Sequence, residues 1–340
     1  MNILIYGTGA IGSLVGACLA QAGAQVTFLV RPKSVLAMQE NGLQVSGQIS
    51  PIHIGQPQLA TSTQQAFQSP QDLVVLAVKS YDTPAVVADL QQIANLPPLL
   101  CLQNGVENEN QLTAAFGADN VISGTVTTAV ALPQPGQVLV ERARGIGLQK
   151  NHPMSSEIAN LLGRGGVTVR QYANPAAMKW TKLLTNLFGN ATCAICDLPA
   201  ADIFANDSLY RAEIQAARET LKIMRQLKLP VVSLPGFPSR RLALMVRYLP
   251  DTWYRSLVTK SVVKGRGNKL PSFQLDLRAG KTRTEVDALN GAVGRAGARL
   301  NLPVPINTRL ARILSDITSG KIAWESFRYQ PEKLAQALWE

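Results

Sequence analysis

The chain is poor in side chains that hold metals and has no stretch able to cross a membrane. Only two histidines, His53 and His152, and four cysteines, Cys18, Cys101, Cys193 and Cys196, occur in 340 residues. Cys193 and Cys196 have the C-x-x-C spacing of a redox or metal pair. A structural zinc takes four ligands of this kind and no second pair is available, so no metal is expected and both are read as small packing residues. No apolar run approaches the roughly 18 to 20 residues that span a bilayer, so no membrane partner is expected. Met1–Tyr6 has no basic lead and glycines follow at once, so no secretory signal is read there. Few cysteines without such a signal suit a reducing compartment, and a cytoplasmic location is expected. No nucleic-acid-binding motif is recognised, and no nucleic-acid partner is expected.

Apolar material, by contrast, is ample. Hydrophobic residues make up 46% of the chain and charged residues 16%, a balance that suits a globular protein. The length exceeds what one core usually organises, so two domains are expected. Charge is unevenly placed: residues 1–178 hold 8 Lys/Arg and 9 Asp/Glu, net −1, and residues 179–340 hold 25 and 13, net +12. Within 240–283 there are 11 basic residues and only two acids, Asp251 and Asp276. Something anionic is expected to approach the second half, whether a small carboxylate, a phosphate, a nucleic acid or a membrane surface. A solvated helical surface is the plainer reading of that stretch.

Glycines organise the first half. Asn2–Tyr6 reads as a buried strand, Gly7-Thr8-Gly9-Ala10-Ile11-Gly12 leads into a helix ended by Gly23, and Gln25–Val30 is the next strand. A lone G-x-G-x-x-G is weak evidence, but between a strand and a helix it is specific. Gly7 makes the tight turn and Gly9 lets backbone approach a pyrophosphate. Gly12 lets helix and strand pack closely, and the helix N-terminus offers N–H groups to the anion. NAD-binding sites usually carry an acid at the end of the second strand; here Arg31 stands there, with Lys33 close by. A guanidinium in that place pairs with a 2′-phosphate or stacks on adenine, which points to NADP(H).

Residues 71–78 read as a fully apolar strand ending in Lys79, and Leu99–Gln103 as another followed by Asn104. Ligands of parallel sheets sit beyond the strand C-termini. Lys79 is therefore placed to meet the cofactor, with a solvated strand end as the competing reading, and the Asn104 amide to bond nicotinamide or substrate. Leu43–Ser46 and Ile52–Ile54 look like a short β excursion around Gly47. Val121–Leu132, Gln137–Glu141 and Ile146–Gln149 read as three later strands and Val167–Gln171 as the last, with helices over 83–94, 107–116 and 157–162. This alternation predicts an α/β, doubly wound sheet through about residue 173.

Beyond that point almost no strands are visible. Pro175 can take a first helical position, and Ala176–Ala191, AAMKWTKLLTNLFGNA, reads as one amphipathic helix. Trp180, Leu183, Leu184, Leu187 and Phe188 form its apolar side. Lys182, Asn186 and Asn190 recur every four residues and share a row. The row is either a solvated face or the lining of a polar cleft; two asparagines, mediocre helix formers, and a cation with no balancing carboxylate count for the cleft. Further helices are read at 207–227, 239–249, 256–263, 282–300 and 307–319, with a loop at 265–271. Thr282 and Glu285 have capping-box spacing, which alone could explain Glu285; the alternative is a carboxylate facing the cleft. Ser272 is likewise an N-cap or a ligand for a substrate carboxylate.

Together these pieces resemble the ketopantoate reductase (2-dehydropantoate 2-reductase) family over essentially the whole chain. The carriers are GTGAIG, the lysine of AVKSYD, the NG of CLQNGVEN, the KWTKLLTNLFGN helix, PSF near residue 272 and TEVDALNGAVGRAG. The lysine helix and TEVDALNG are far more specific than the glycine turn. The resemblance implies a Rossmann-type NADP-binding domain, 1–173, then a mostly α-helical substrate domain, 174–340, with substrate held in the cleft between them. It implies NADPH-dependent reduction of ketopantoate to pantoate for pantothenate and coenzyme A synthesis. Lys182 matches the family's catalytic lysine, and Asn186 and Asn190 its substrate-binding asparagines. Asn104 and Lys79 match residues near the nicotinamide and cofactor, Arg31 the 2′-phosphate contact and Ser272 the substrate serine. Glu285 matches the cleft glutamate, counted with both substrate and cofactor contacts. A homodimer is compatible with this reading.

Two departures bear on substrate identity more than on reaction type. Phe273-Gln274-Leu275-Asp276 stands where the family usually has Met-Leu-Gln-Asp, and the basic stretch 231–270 exceeds the compact family pattern. Reduction of another 2-oxo acid is therefore the alternative within the enzyme class. Outside that class stands an NADP-sensing protein with a basic nucleic-acid- or lipid-binding surface, for which the sequence offers only charge.

Overall fold

The first strand is apolar toward both sides, and this dictates a layered core. In β1 (Asn2–Tyr6), Ile3 and Ile5 join one buried cluster with Leu14, Phe28, Ile158 and Leu162, and Leu4 joins another with Val74, Leu76, Val86, Leu90 and Leu112. The computed structural model describes residues 1–250, 253–259 and 270–340. Contacts divide the chain into two compact units: Met1–Lys179 with Leu234–Phe237, and Trp180–Ser233 with Pro238–Glu340.

In the first unit the remaining strands are β2 (Gln25–Leu29), β3 (Leu43–Gly47), β4 (Ile52–Ile54), β5 (Gln58–Ala60), β6 (Leu73–Leu76), β7 (Leu99–Cys101), β8 (Val121–Val126), β9 (Ala129–Gln134), β10 (Gln137–Arg142), β11 (Ile146–Gln149) and β12 (Val169–Tyr172). Eight of them form one sheet in the order β5-β2-β1-β6-β7-β8-β11-β12. Every pair in it is parallel except β8 with β11. Helices Ala10–Gln21 and Ser155–Arg164 pack on one face, Thr83–Leu90 and Asn108–Phe116 on the other. The chain runs outward from β1 to one side and then returns to the other, so β1 lies at the topological switch point of a doubly wound sheet.

The other four strands make a second sheet, β4-β3-β10-β9, whose Leu43, Val45, Ile52, Val130, Val138 and Val140 share the cluster around Leu14. This corrects the reading of Val121–Leu132 as one strand: β8 and β9 belong to different sheets. The break falls at Thr127 and Thr128. Thr127 Oγ1 donates to the carbonyls of Gly145 and Pro235, both at 2.9 Å, and Thr128 Oγ1 accepts from Gly145 N at 2.9 Å. A β-branched run conceals such a turn, because the same side chains favour strand until their hydroxyls find backbone partners. The expected short excursion at 43–54 is half of this sheet, and the strand expected over 71–78 is the shorter β6.

The second unit is helical, with no strand among its described residues. Its helices are Ala191–Cys196, Ala200–Ala205, Asp207–Gln226, Ser239–Tyr248, 253–259, Ser272–Arg278, Ala292–Arg299, Pro305–Thr318 and Pro331–Trp339; the helix Pro175–Leu187 begins in the first unit and ends in this one. Residues 260–263 of the expected helix, and 265–269 of the expected loop, lie outside the described residues. Two expectations are corrected. The helix read as Ala176–Ala191 stops at Leu187, because Gly189 turns the chain at φ +61, a value glycine adopts without strain. Glu213 fastens the turn, accepting from Gly189 N at 2.7 Å and from Thr192 Oγ1 at 2.6 Å. The helix read as 282–300 starts late and opens with a π turn, Asp287–Gly291, before Ala292–Arg299.

Asp197 ties this unit together just past the Ala191–Cys196 helix. Its buried carboxylate accepts from Gln274 Nε2 at 2.9 Å, Arg278 Nε at 2.7 Å, Arg328 Nε at 3.0 Å and Tyr329 Oη at 3.1 Å. Burial alone raises a carboxyl pKa; here the four donors outweigh it and hold Asp197 below its usual value. A carboxyl depressed in the folded state stabilises above its unfolded pKa of about 3.9, and that stability is lost as pH falls through the folded value. Asp197→Asn is expected to cost about 2 kcal/mol near neutral pH. It should also flatten the fall in stability below about pH 4, as read by urea unfolding across pH; an unchanged acid profile refutes the assignment.

Candidate functional site

Strand register gathers the first set of candidates. Tyr6 pairs with Leu29 and with Leu76, and Leu76 with Cys101. The segments that follow these residues therefore leave the sheet at one end, and they carry Gly7–Gly12, Arg31, Lys79 and Asn104. These four sequence-predicted positions are thus brought to the C-terminal end of the parallel strands. Arg31 and Lys33 are exposed, and Lys79 and Asn104 are half-buried.

The glycine turn has the space that a phosphate needs. A Cβ on Gly12 would lie 1.9 Å from the Gly7 carbonyl oxygen, and one on Gly7, at φ +105, would lie 2.7 Å from Val78 Cγ1. A Cβ on Gly9 would meet nothing within 4 Å. Two glycines are thus required by packing and the third faces open space at the start of the Ala10–Gln21 helix. No N-cap side chain bonds to that helix's first N–H groups. Thr8 lies against the end of β2, its Oγ1 donating to the Leu29 carbonyl at 3.5 Å, while Ala10 and Ile11 are half-buried. Orphan N–H groups, the positive end of the helix dipole and an open glycine together fit the pyrophosphate of a dinucleotide.

The loops carrying Lys79 and Asn104 are bonded to each other. Ser80 Oγ and Asn108 Nδ2 donate to the Asn104 carbonyl at 2.5 and 2.6 Å. Thr83 Oγ1 donates to Asn108 Oδ1 at 3.0 Å and accepts from Gln103 Nε2 at 2.9 Å. A residue missed by sequence reading joins them. Lys179 is 4% exposed, and its ammonium reaches the Gln103 carbonyl and Glu109 Oε1 at 2.7 Å and the Gly124 carbonyl at 3.3 Å. The available signal was its position four residues before Leu183, on the apolar side of the helix, where a lysine needs an acid.

The second set of candidates lies in the helical unit. Lys182 and Asn186 are half-buried on the Pro175–Leu187 helix. Asn190 lies beyond the Gly189 turn and is buried, so the row of three is interrupted at its last member. Asn190 Oδ1 instead accepts long bonds from Phe273 N at 3.4 Å and Ser272 Oγ at 3.5 Å. Asn190 and Ser272 are thereby brought together, and Asn190 serves the start of the Ser272–Arg278 helix, whose N-cap position is Pro271 and not Ser272. Glu285 is buried at 3% exposure just before the helical residues that begin at 286. Thr282 lies four residues before the first helical residue, so it is not the N-cap, Glu285 is not at the third helical position, and the expected capping box is not formed. Among the described residues no group of three or more His, Cys, Asp or Glu could hold a metal ion, and no helix is long and apolar enough to cross a membrane.

Of the residues at 273–276, Leu275 is exposed and the other three go into packing and bonding. Phe273 is fully buried, Gln274 serves Asp197, and Asp276 pairs with Lys281 at 2.5 Å.

A glycine turn at the switch point of a doubly wound sheet, followed by a helical unit bearing lysine, asparagine and serine, defines a nucleotide-dependent oxidoreductase class. The family model described as ketopantoate reductase PanE/ApbA matches residues 3–151, and that described as ketopantoate reductase PanE/ApbA C terminal matches residues 174–318. The chain belongs to the ketopantoate reductase family, whose members are NADP-dependent oxidoreductases acting on a CH–OH group. It is 30% identical over 315 residues to a 2-dehydropantoate 2-reductase of Pyrococcus horikoshii, covering 90% of this chain and 94% of that one. The crystal structure of a PanE/ApbA family ketopantoate reductase from Ralstonia eutropha JMP134 superposes with a TM-score of 0.79 at 26% identity, over 94% of this chain and 99% of that one. D-mandelate dehydrogenase, solved with NADH and anilino(oxo)acetate, shares the fold with a TM-score of 0.79 at 21% identity, over 94% and 99%.

The two kinds of glycine respond differently to a methyl group. Gly9→Ala is expected to keep the melting temperature and weaken NADPH about tenfold, or about 1.4 kcal/mol. Gly12→Ala is expected to lower the melting temperature as well. Calorimetry and fluorescence titration check this; a Gly9→Ala protein that binds NADPH as the parent does removes the phosphate from this turn.

Proposed function

We propose that this protein is a cytoplasmic 2-dehydropantoate 2-reductase that reduces the ketone of ketopantoate to the alcohol of pantoate, a step toward pantothenate and coenzyme A. The observation that carries the reading is the set Lys182, Asn186, Asn190 and Ser272: one ammonium followed by three uncharged hydrogen-bonding groups, with Ser272 bonded to Asn190. A cation and a cluster of neutral donors are what a 2-oxo acid requires at its two ends.

NADPH, when bound by Gly7–Gly12, Arg31, Lys79 and Asn104, supplies the hydride. Negative charge then grows on the carbonyl oxygen. A donor already aimed at that oxygen lowers the barrier more than it lowers the ground state. Lys182 is that donor: its ammonium polarises the ketone and then gives its proton to the alkoxide. Asn186, Asn190 and Ser272 hold the carboxylate, and Glu285 accepts a hydrogen bond from the substrate hydroxyl. Arg31 pairs with the 2′-phosphate. The four cysteines, all free and buried, suit the proposed compartment.

A second reading, reduction of a bulkier 2-oxo acid, draws on the oxo-acid ligand in the D-mandelate dehydrogenase structure. A panel of 2-oxo acids followed by NADPH absorbance separates the two. Ketopantoate giving the highest kcat/KM supports the first reading, and a preference for an aryl or other bulky oxo acid supports the second.

Two variants test the assigned roles. Lys182→Ala is expected to lose at least about a hundredfold in kcat, the low end for general acid–base catalysis, with NADPH affinity retained; near-parental turnover removes the role. Arg31→Ala is expected to narrow the preference for NADPH over NADH by about tenfold, or about 1.4 kcal/mol, and an unchanged ratio of kcat/KM values removes Arg31 from the 2′-phosphate.

A further inference from the structure

Lys179 is the other lysine of the K-W-T-K run, and its surroundings suit a different task from proton transfer. Its ammonium reaches the carbonyls of Gln103 and Gly124 and the carboxylate of Glu109, which lie inside the first unit. Both partners of the ion pair are largely withdrawn from water, at 5% and 13% side-chain exposure. A buried ion pair seldom adds net stability over apolar packing, because desolvation consumes most of the attraction. What such a pair does supply is direction, since a charge in a low-dielectric setting holds its acceptors in one geometry.

The acceptor held here is the carbonyl just before Asn104. The next carbonyl, that of Asn104 itself, is held by Ser80 and Asn108, and the Gln103 side chain is held by Thr83. Two successive carbonyls are thus fixed from different sides, by Lys179, Ser80 and Asn108 on three different segments of the unit. The same bonds reach Ser80, the residue after Lys79. We propose that Lys179 is a positioning residue: with Glu109 it locks the Gln103–Asn104 backbone, so that Asn104 and the adjoining Lys79 loop present a fixed surface to the nicotinamide end of the cofactor. This rests on the reading that Asn104 faces nicotinamide. The glycine turn and Arg31, at the adenosine and pyrophosphate end, receive none of these bonds.

The proposal separates the two ends of the dinucleotide, and so does its test. Lys179→Met combined with Glu109→Gln removes both charges and strands neither. NADPH is compared with adenosine 2′,5′-bisphosphate, which lacks the nicotinamide half, by calorimetric titration of the full-length protein, and kcat is measured with ketopantoate. The expected result is unchanged affinity for the bisphosphate, NADPH weakened about tenfold, and kcat lowered at least as much. Lys179→Arg, which keeps a cation beside the Gln103 carbonyl, is expected to restore most of the loss. Should the double variant fail to fold, Lys179→Gln combined with Glu109→Gln supplies the same comparison. Equal weakening of both ligands, or of neither, overturns the proposal. If the parent protein reduces no 2-oxo acid, the functional reading fails, while the ratio of the two affinities still reports on Lys179.

Discussion

Parallel pairing across β2, β1, β6 and β7 is the constraint on which the first half depends. β1, β6 and β7 are apolar on both faces, so alternation cannot specify their register, and a one-residue slip would still bury hydrophobic groups. Close packing at the glycine turn does specify it. Gly7 lies so near Val78, and Gly12 so near the Gly7 carbonyl and Ala77, that any Cβ would collide. Ala77 N donates to Tyr6 O, and Leu102 N to Leu76 O, both at 3.0 Å, continuing the pairing past the strand ends. The register that brings phosphate-sized space, a cation and an amide to one end of the sheet is therefore set by the absence of two methyl groups.

The helical unit answers a different problem, the ends of many short helices. Each end leaves N–H groups without partners, and buried carboxylates supply several of them. Glu213 bonds Gly189 N and Thr192 Oγ1 where one helix gives way to the next. Glu219 accepts from the N–H groups of Ile306 and Asn307 at the start of the Pro305–Thr318 helix. Asp197 and Glu219 are both buried, yet their acidities move in opposite directions. Burial dominates at Glu219 and raises its pKa despite bonds from Asn307 and Ile306, whereas at Asp197 the bonds from Gln274, Arg278, Arg328 and Tyr329 together outweigh burial. A raised carboxyl pKa makes the folded state more stable as pH falls, so the two groups oppose one another in acid.

Much of this architecture could be read in advance because it is local. The turn of GTGAIG, the apolar strands and the amphipathic periods of 207–227 and 307–319 each depend on residues close in sequence. Failures came where a distant partner decided the outcome. Thr127 and Thr128 turn the chain because Gly145 and Pro235 meet their hydroxyls. The helix at 175 stops short because Gly189 is held by Glu213, 24 residues away. Glu285 matched a capping box by spacing, but the helix begins beyond it. Lys179 went unnoticed because its acid, Glu109, lies 70 positions earlier. Among the candidate residues, those at strand ends were legible from the rule for parallel sheets, while the link between Asn190 and Ser272 required coordinates.

The two lysines of one helix show how burial divides labour between identical side chains. An ammonium group acts as a proton donor only if its proton can leave toward a reacting oxygen and be replaced. Lys179 meets neither condition, since backbone carbonyls and a carboxylate surround it. Lys182, three residues on, keeps partial exposure. Moving the charge from one position to the other would not conserve function, although net charge and composition would stay the same. In the proposed mechanism the charge of the first lysine fixes backbone geometry, and that of the second meets an oxygen that acquires charge only during the reaction. Differential stabilisation of that kind accelerates chemistry, whereas a permanent bond to the folded chain does not.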